Sequence, residues 1–235
     1  MTSAFASRGV PGQAAVACVI PALDSAATLP AVVTALRLSL PDAKLIVIDD
    51  GSRDGTRTIA QSTCDTVLHF DQNRGKGAAL RLGIASAVAG GASVVLTIDA
   101  DGQHDPAYAP ALIRALDDAD IAIGARRRPA TPMPLRRRAT NFLASTAIGA
   151  ITGARIPDSQ SGFRAIRRAV FHYVVADGDR YEYETDFLIR AGMAGFRIAA
   201  VPISTKYCGA SHFRSVTDSA RIVRTIWRHR TGAFR

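Results

Sequence analysis

The sequence predicts an α/β fold: a doubly wound, mostly parallel sheet flanked by helices. Three observations predict it. Short apolar, β-branched runs alternate with stretches of helical periodicity through the first half of the chain. The apolar runs are continuous rather than alternating, as in strands buried on both faces. Each run ends in acidic residues, glycine or proline, where a doubly wound sheet gathers its ligands. At 235 residues with 48% hydrophobic and 21% charged residues, the chain can bury about 70% of its unfolded surface in one core. That composition excludes a wholly disordered chain, a collagen-like repeat and a heptad rod.

Residues 1–13 lack the basic and continuously apolar regions of a signal peptide and read as a flexible leader. Residues 14–20 (AAVACVI) are the first strand, and residues 26–40 a helix with Leu29, Val32, Val33, Leu36 and Leu40 at helical spacing. Residues 44–48 (KLIVI) form the second strand and 56–64 the second helix. A third strand at 66–70 precedes the loop DQNRGKG and a helix at 78–89. Residues 93–98 (SVVLTI) form a strand ending at Asp99, followed by a helix at 108–116 and a strand at 121–123. Beyond residue 126 the alternation is lost. A Pro/Arg-rich segment leads to a helix at 141–152, a loop DSQSGF, helices at 164–175 and 184–194, a strand at 197–202 and a basic amphipathic terminal helix near 218–230.

Twenty-nine Lys+Arg against 20 Asp+Glu give a net charge of +9, with arginines clustered at 126–128, 136–138, 164–168 and 221–230. Such clusters seek phosphates, whether in nucleic acid, anionic lipid or a phosphorylated small molecule, or else form a solvated basic face. Cys18, Cys64 and Cys208 are odd in number and far apart, which supports neither a disulfide framework nor a zinc site and suits a reducing cytoplasm. The uncharged stretch 139–154 is too short and polar to span a bilayer, so the sequence predicts no transmembrane helix.

The strand ends place Asp24, Asp49 and Asp50, residues 73–77, Asp99 and Asp101, and Gly124 and Arg126 around one crevice. Asp99 and Asp101, with Gln103 one step on, are hard oxygen ligands suited to Mg²⁺ or Mn²⁺ on a diphosphate; the bland alternative is an Asp pair in a turn. Asp49 and Asp50 can accept from a base N–H or ribose hydroxyls, or serve only a turn and helix cap. NRGKG offers backbone N–H groups and Lys76 to a phosphate, although it matches neither the P-loop nor the dinucleotide fingerprint. His104 reads as structural or as an outer-shell residue rather than a ligand.

PALD at 21–24, VIDDGSRDGT at 47–56, NRGKGAALRLGI at 73–84, TIDADGQHDP at 97–106 and DSQSGFRAI at 158–166 occur in that order. With them the chain resembles family 2 glycosyltransferases, close to the polyprenyl-phosphate (dolichyl-phosphate) mannosyl- and glucosyltransferases. The resemblance covers roughly residues 16–215 and implies the GT-A fold. It implies one domain at 14–215, with 14–126 holding the nucleotide-sugar and 127–215 the acceptor, and the terminal helix at 216–235 outside it. It implies that Pro21, Leu23 and Asp24 line the nucleoside pocket, that Asp50 reaches the base, and that Asp99 and Asp101 form the D-x-D motif with Asp101 and Gln103 on the metal. Arg126 matches an arginine near the transferred group or acceptor phosphate, Arg137 a further partner, and Ser161 and Arg164 the acceptor side. Glu184 and Asp186 match the acidic position below the sugar, with the choice between them open. Leu23 stands where an aromatic is frequent, and His212 in CGASHFR where the polyprenyl-phosphate enzymes tend to have lysine.

The implied reaction is metal-dependent, inverting transfer from a nucleotide-diphosphate sugar, with a polyprenyl phosphate as the first acceptor. A phosphate acceptor needs no base and would be positioned by Arg126, Arg137 and Arg164. A lipid-like or small-molecule hydroxyl is the alternative, and it would need Glu184 or Asp186 as base. The setting implied is cytoplasmic, at the inner face of the membrane. Of the competing classes, a nucleic-acid-binding protein has no helix-turn-helix, zinc or RNP signature here. A nucleotidyltransferase wants a glycine-rich loop after the first strand, and PALDSAAT contains no glycine.

Overall fold

The computed structural model describes residues 15–126, 135–153, 156, 158–205 and 215–230, with the backbone alone at 135–143 and 215–216. The leader, the Pro/Arg-rich segment at 127–134 and CGASHFR at 208–214 lie outside the described residues.

In chain order the strands are β1 (Val16–Ala22), β2 (Lys44–Asp49), β3 (Thr66–His69), β4 (Val94–Thr97), β5 (Ile121–Arg126), β6 (Arg164–Arg167) and β7 (Ile198–Ile203). The helices are α1 (Leu29–Ser39), α2 (Thr56–Thr63), α3 (Lys76–Ala89), α4 (Ala109–Arg114), α5 (Leu135–Thr152), α6 (Val170–Tyr173), α7 (Glu182–Met193) and α8 (Ser215–Arg230). One sheet runs β3-β2-β1-β4-β6-β5-β7, parallel except where β6 lies antiparallel between β4 and β5.

Strand alternation divides the core into two layers. Ala17, Val19, Ile46, Ile48 and Val95 face the side covered by α3, α5 and α7. Cys18, Ile20, Leu45, Val47 and Leu96 face the side covered by α1 and α4. Gly83 lets α3 lie close on the sheet, since a Cβ there would come within 2.4 Å of Ile48 Cδ1 and 2.5 Å of Val19 Cγ1. Proline at the start of α1 and α4 suits a position whose N–H has no intrahelical acceptor.

One expected element is corrected. Residues 164–175 are not a helix: Arg164–Arg167 is strand β6, and only Val170–Tyr173 is helical. Ala165 and Ile166 face opposite sides of the sheet and are buried in the two different cores, so this run satisfies a two-residue period as well as a helical one. β6 thereby carries the preceding loop, DSQSGF, to the end of β4 where Asp99 emerges.

Candidate functional site

The loops after β1 and β2 are stitched together by their own side chains. Asp24 Oδ1 accepts from Arg53 N at 2.8 Å, Asp24 N donates to Ser52 Oγ at 3.0 Å, and Ser25 N donates to Thr56 Oγ1 at 2.8 Å. Asp24 sits at φ +46, a left-handed conformation uncommon outside glycine but one that Asp tolerates better than most residues. Pro21 is buried within β1 and Leu23 is half-buried just beyond its end. Asp50 reaches across to the next loop, where its carboxylate accepts from Arg74 N at 2.7 Å and Gly75 N at 2.9 Å. Burial pushes the Asp50 carboxyl up from its ordinary value, against the pull of those two amides. Asp50 therefore shapes the NRGKG loop.

That loop delivers Lys76 to the centre of the site. Its Nζ lies 2.7 Å from Asp99 Oδ1 and 3.0 Å from Glu184 Oε2, with the Tyr181 ring 5.7 Å away. Glu184 Oε1 lies 3.8 Å from Arg164, which is buried. Burial opposes the charge on Lys76, but Asp99 and Glu184 outweigh it and hold the ammonium protonated. Burial would also raise Asp99, yet Lys76 beside it holds its carboxyl below the usual range. Asp101 moves the other way: burial and the Asp99 charge push it up, while Gln103 N donates to its Oδ1 at 3.0 Å. The backbone presses close here. Thr97 Oγ1 donates to Gly162 O at 2.8 Å, and a Cβ on Gly162 would stand 2.5 Å from Asp99 Oδ2 and 2.8 Å from Lys76 Nζ.

His104 packs inside this region, its ring 5.8 Å from Phe163, and bridges to Thr205. Burial lowers its imidazole to about 4, which keeps it neutral near pH 7.

The residues assigned to the acceptor side divide. Arg126 forms a fork with Asp158, Nε to Oδ2 at 2.7 Å and Nη2 to Oδ1 at 2.8 Å. Arg164 lies inside the protein rather than lining the crevice: it donates to the carbonyls of Ser161, Ser159 and Glu184 and so shapes the DSQSGF loop from within. Ser161 is likewise buried, its Oγ accepting from Phe163 N at 3.4 Å. The Arg137 side chain lies outside the described residues.

Glu184 and Asp186 are two residues apart on α7 and therefore point to nearly opposite sides of it. Glu184 faces Lys76, whereas Asp186 accepts from Asp177 N, pairs with Arg190 at 2.6 Å and meets His229 of α8 at 2.6 Å. Of the two acids between which the sequence leaves the choice open, Asp186 has its oxygens engaged on the far side of α7 and Glu184 faces Lys76. Sequence reading also left Asp158 and Tyr181 without a role. Asp158 opens the DSQSGFRAI segment, but its partner Arg126 is 32 positions away.

The donor set suits a hard divalent cation. Asp101 is an anion pressed against a second anion, a cost that a cation on its open side would relieve. Among the described residues no group of three His, Cys, Asp or Glu could hold a metal. Asp101 and the Gln103 amide, with Asp99 shared with Lys76, are hard oxygen donors of the kind Mg²⁺ takes when substrate phosphates and water complete its shell.

Three comparisons bear on this geometry. The Glycosyl transferase family 2 model matches residues 17–175. The chain is 33% identical over 199 residues to the polyprenol monophosphomannose synthase of Mycolicibacterium smegmatis, covering 79% of this chain and 75% of that one. It is 30% identical over 197 residues to the undecaprenyl-phosphate mannosyltransferase of Micrococcus luteus, covering 79% and 81%. Among solved structures, the glucosyl-3-phosphoglycerate synthase of Mycobacterium tuberculosis in complex with Mn²⁺, UDP and glucosyl-3-phosphoglycerate superposes with a TM-score of 0.74 at 21% identity, over 92% of this chain and 80% of that one. The fold is GT-A.

Proposed function

We propose that this chain, which belongs to glycosyl transferase family 2, moves a sugar from a nucleotide-diphosphate donor to a polyprenyl phosphate at the cytoplasmic face of a membrane. One observation carries the reading. Asp99 and Asp101 emerge from central β4 with Lys76 and Glu184 gathered against them, at the strand ends where an α/β sheet binds its ligand.

In this reading Pro21, Leu23, Asp24 and Asp50 border the nucleoside. Bound at Asp101 and Gln103, with Asp99 beside it, Mg²⁺ or Mn²⁺ supplies charge neutralisation to the departing diphosphate. Lys76 adds a fixed ammonium that needs no reorganisation as negative charge develops. Arg126, held in place by Asp158, presents its guanidinium toward the acceptor phosphate, and Arg137 is a second candidate from α5. The acceptor oxygen, already anionic, attacks the anomeric carbon from the face opposite the diphosphate, and the configuration inverts.

Glu184 supports the phosphate acceptor over a hydroxyl. Its oxygens face Lys76 at 3.0 Å and Arg164 at 3.8 Å, and an acid so engaged is a positioning group for Lys76 rather than a ready proton acceptor. The relatives named for polyprenol and undecaprenyl phosphate support the same choice. The test is mass spectrometry of the product formed from UDP- and GDP-sugars, Mn²⁺ and a short-chain prenyl phosphate. A prenyl-phosphate sugar of inverted configuration is expected; transfer only to hydroxyl acceptors would sink the reading.

A further inference from the structure

α8 carries two kinds of surface. Ile222 and Thr225 are buried against the body of the protein, and the His229 side chain, 6% exposed, is tied to Asp186. On the opposite side of the helix Val223 and Trp227 are 61% and 63% exposed, one turn apart, with Ala220 beside them. Arg224 and Arg230 flank this apolar ridge on either side at 100° per residue. Neither makes an ion pair with a carboxylate among the described residues. Arg221 and Arg228 are placed differently. With Arg224 they border a cavity of about 330 Å³ whose other wall carries Asp177, Glu182 and Asp186. Those acids answer the arginines inside the cavity, so it is a poor seat for an anion. Arg224 stands at the border between cavity and ridge, while Arg230 lies on the ridge away from those acids.

An aromatic and a β-branched residue exposed between arginines fit an anionic bilayer interface. The rings and methyls enter the headgroup boundary while the guanidinium groups meet lipid phosphates. Nucleic acid would leave Val223 without a partner. We infer that the ridge Ala220–Val223–Trp227, flanked by Arg224 and Arg230, docks this chain on an anionic lipid bilayer. The inference rests on the membrane acceptor proposed above and assigns the surface that meets the membrane. Through His229 and Asp186 the docked helix is fastened to α7, whose opposite side carries Glu184 and the site. Docking through α8 therefore sets how the body of the protein, and the crevice with it, is oriented relative to the bilayer.

Trp227 is the single tryptophan of the chain, so its emission reports the ridge directly. The full-length protein is titrated with vesicles of phosphatidylcholine alone or containing 30% phosphatidylglycerol, following Trp227 emission and co-flotation. Binding to the anionic vesicles with a blue shift, weakened by salt, is expected. Arg224→Gln and Arg230→Gln should each weaken it about fivefold, and Val223→Asp should weaken it further while leaving thermal unfolding unchanged. Equal binding to neutral vesicles, unshifted Trp227 emission, or variants that bind like the parent would overturn the inference. Transfer to a short, water-soluble prenyl phosphate without vesicles separates the two proposals. It should survive all three substitutions, and its absence from the parent protein would count against the proposed reaction while vesicle binding still judges the surface.

Discussion

Gly162→Ala is the sharpest perturbation available, because it adds one methyl group and aims it at the proposed metal and phosphate ligands. The new Cβ would lie 2.5 Å from Asp99 Oδ2, 2.9 Å from Asp99 Cγ and 2.8 Å from Lys76 Nζ, against an ordinary contact of at least 3.4 Å. The Asp99 carboxylate must therefore retreat by about 0.9 Å. Both crowded groups are the ends of rotatable side chains, so the fold can yield at about 1–2 kcal/mol. Catalysis tolerates less: a misplacement near 1 Å at a reacting centre costs on the order of 100-fold. The paired assay is thermal unfolding alongside kcat/KM for sugar transfer. The expected result is a fall in kcat/KM of roughly 100-fold with a Tm lowered by only a few degrees. Transfer within threefold of the parent would refute the placement of Asp99 and Lys76 at the chemistry. Collapse of the fold would refute the claim that the clash is local.

Asp158→Asn removes the charged fork on Arg126, and should lower transfer about 10- to 100-fold with donor affinity held, read by separate calorimetric and kinetic titrations. Asp186→Ala strands the buried His229 and a paired Arg190, so unfolding should cost about 3 kcal/mol less and the Tm drop by about 6–12 °C, while nucleotide binding persists; an unchanged Tm would contradict the role given to this acid. His104 is neutral in the fold and its value is lowered to about 4, so only the unfolded chain takes up its proton as pH falls below 6.5. Stability should consequently decline from pH 6.5 toward pH 4, and His104→Gln should flatten that part of the Tm–pH curve; an identical slope in the variant would count against the buried neutral histidine.

The first half of the fold was legible because each strand there is a continuous apolar run closed by polar residues, and a parallel sheet buried on both faces demands that signal. β6 was not. RAIR is four residues long with two arginines, and the burial of Arg164 reverses the usual expectation for a charged side chain. Only the carbonyls of Ser159, Ser161 and Glu184, brought in from two other segments, make that burial tolerable. The site shows the same division. Asp99, Asp101 and Lys76 stand in motifs at strand ends and could be marked in advance. The choice between Glu184 and Asp186 depends on which side of α7 meets the sheet, and spacing along a helix cannot report that. Arg126 needed its partner Asp158, which is distant in sequence, before its fixed orientation could be seen.

The most direct test of the central claim is calorimetric titration of UDP, GDP, CDP and dTDP into the protein and into Asp101→Asn, each with and without Mn²⁺. The account predicts that one nucleoside diphosphate binds, that Mn²⁺ strengthens its binding, and that Asp101→Asn removes the metal-dependent part while the Tm is retained. Binding that is indifferent to Mn²⁺ and to Asp101, or no binding of any nucleotide, would contradict it.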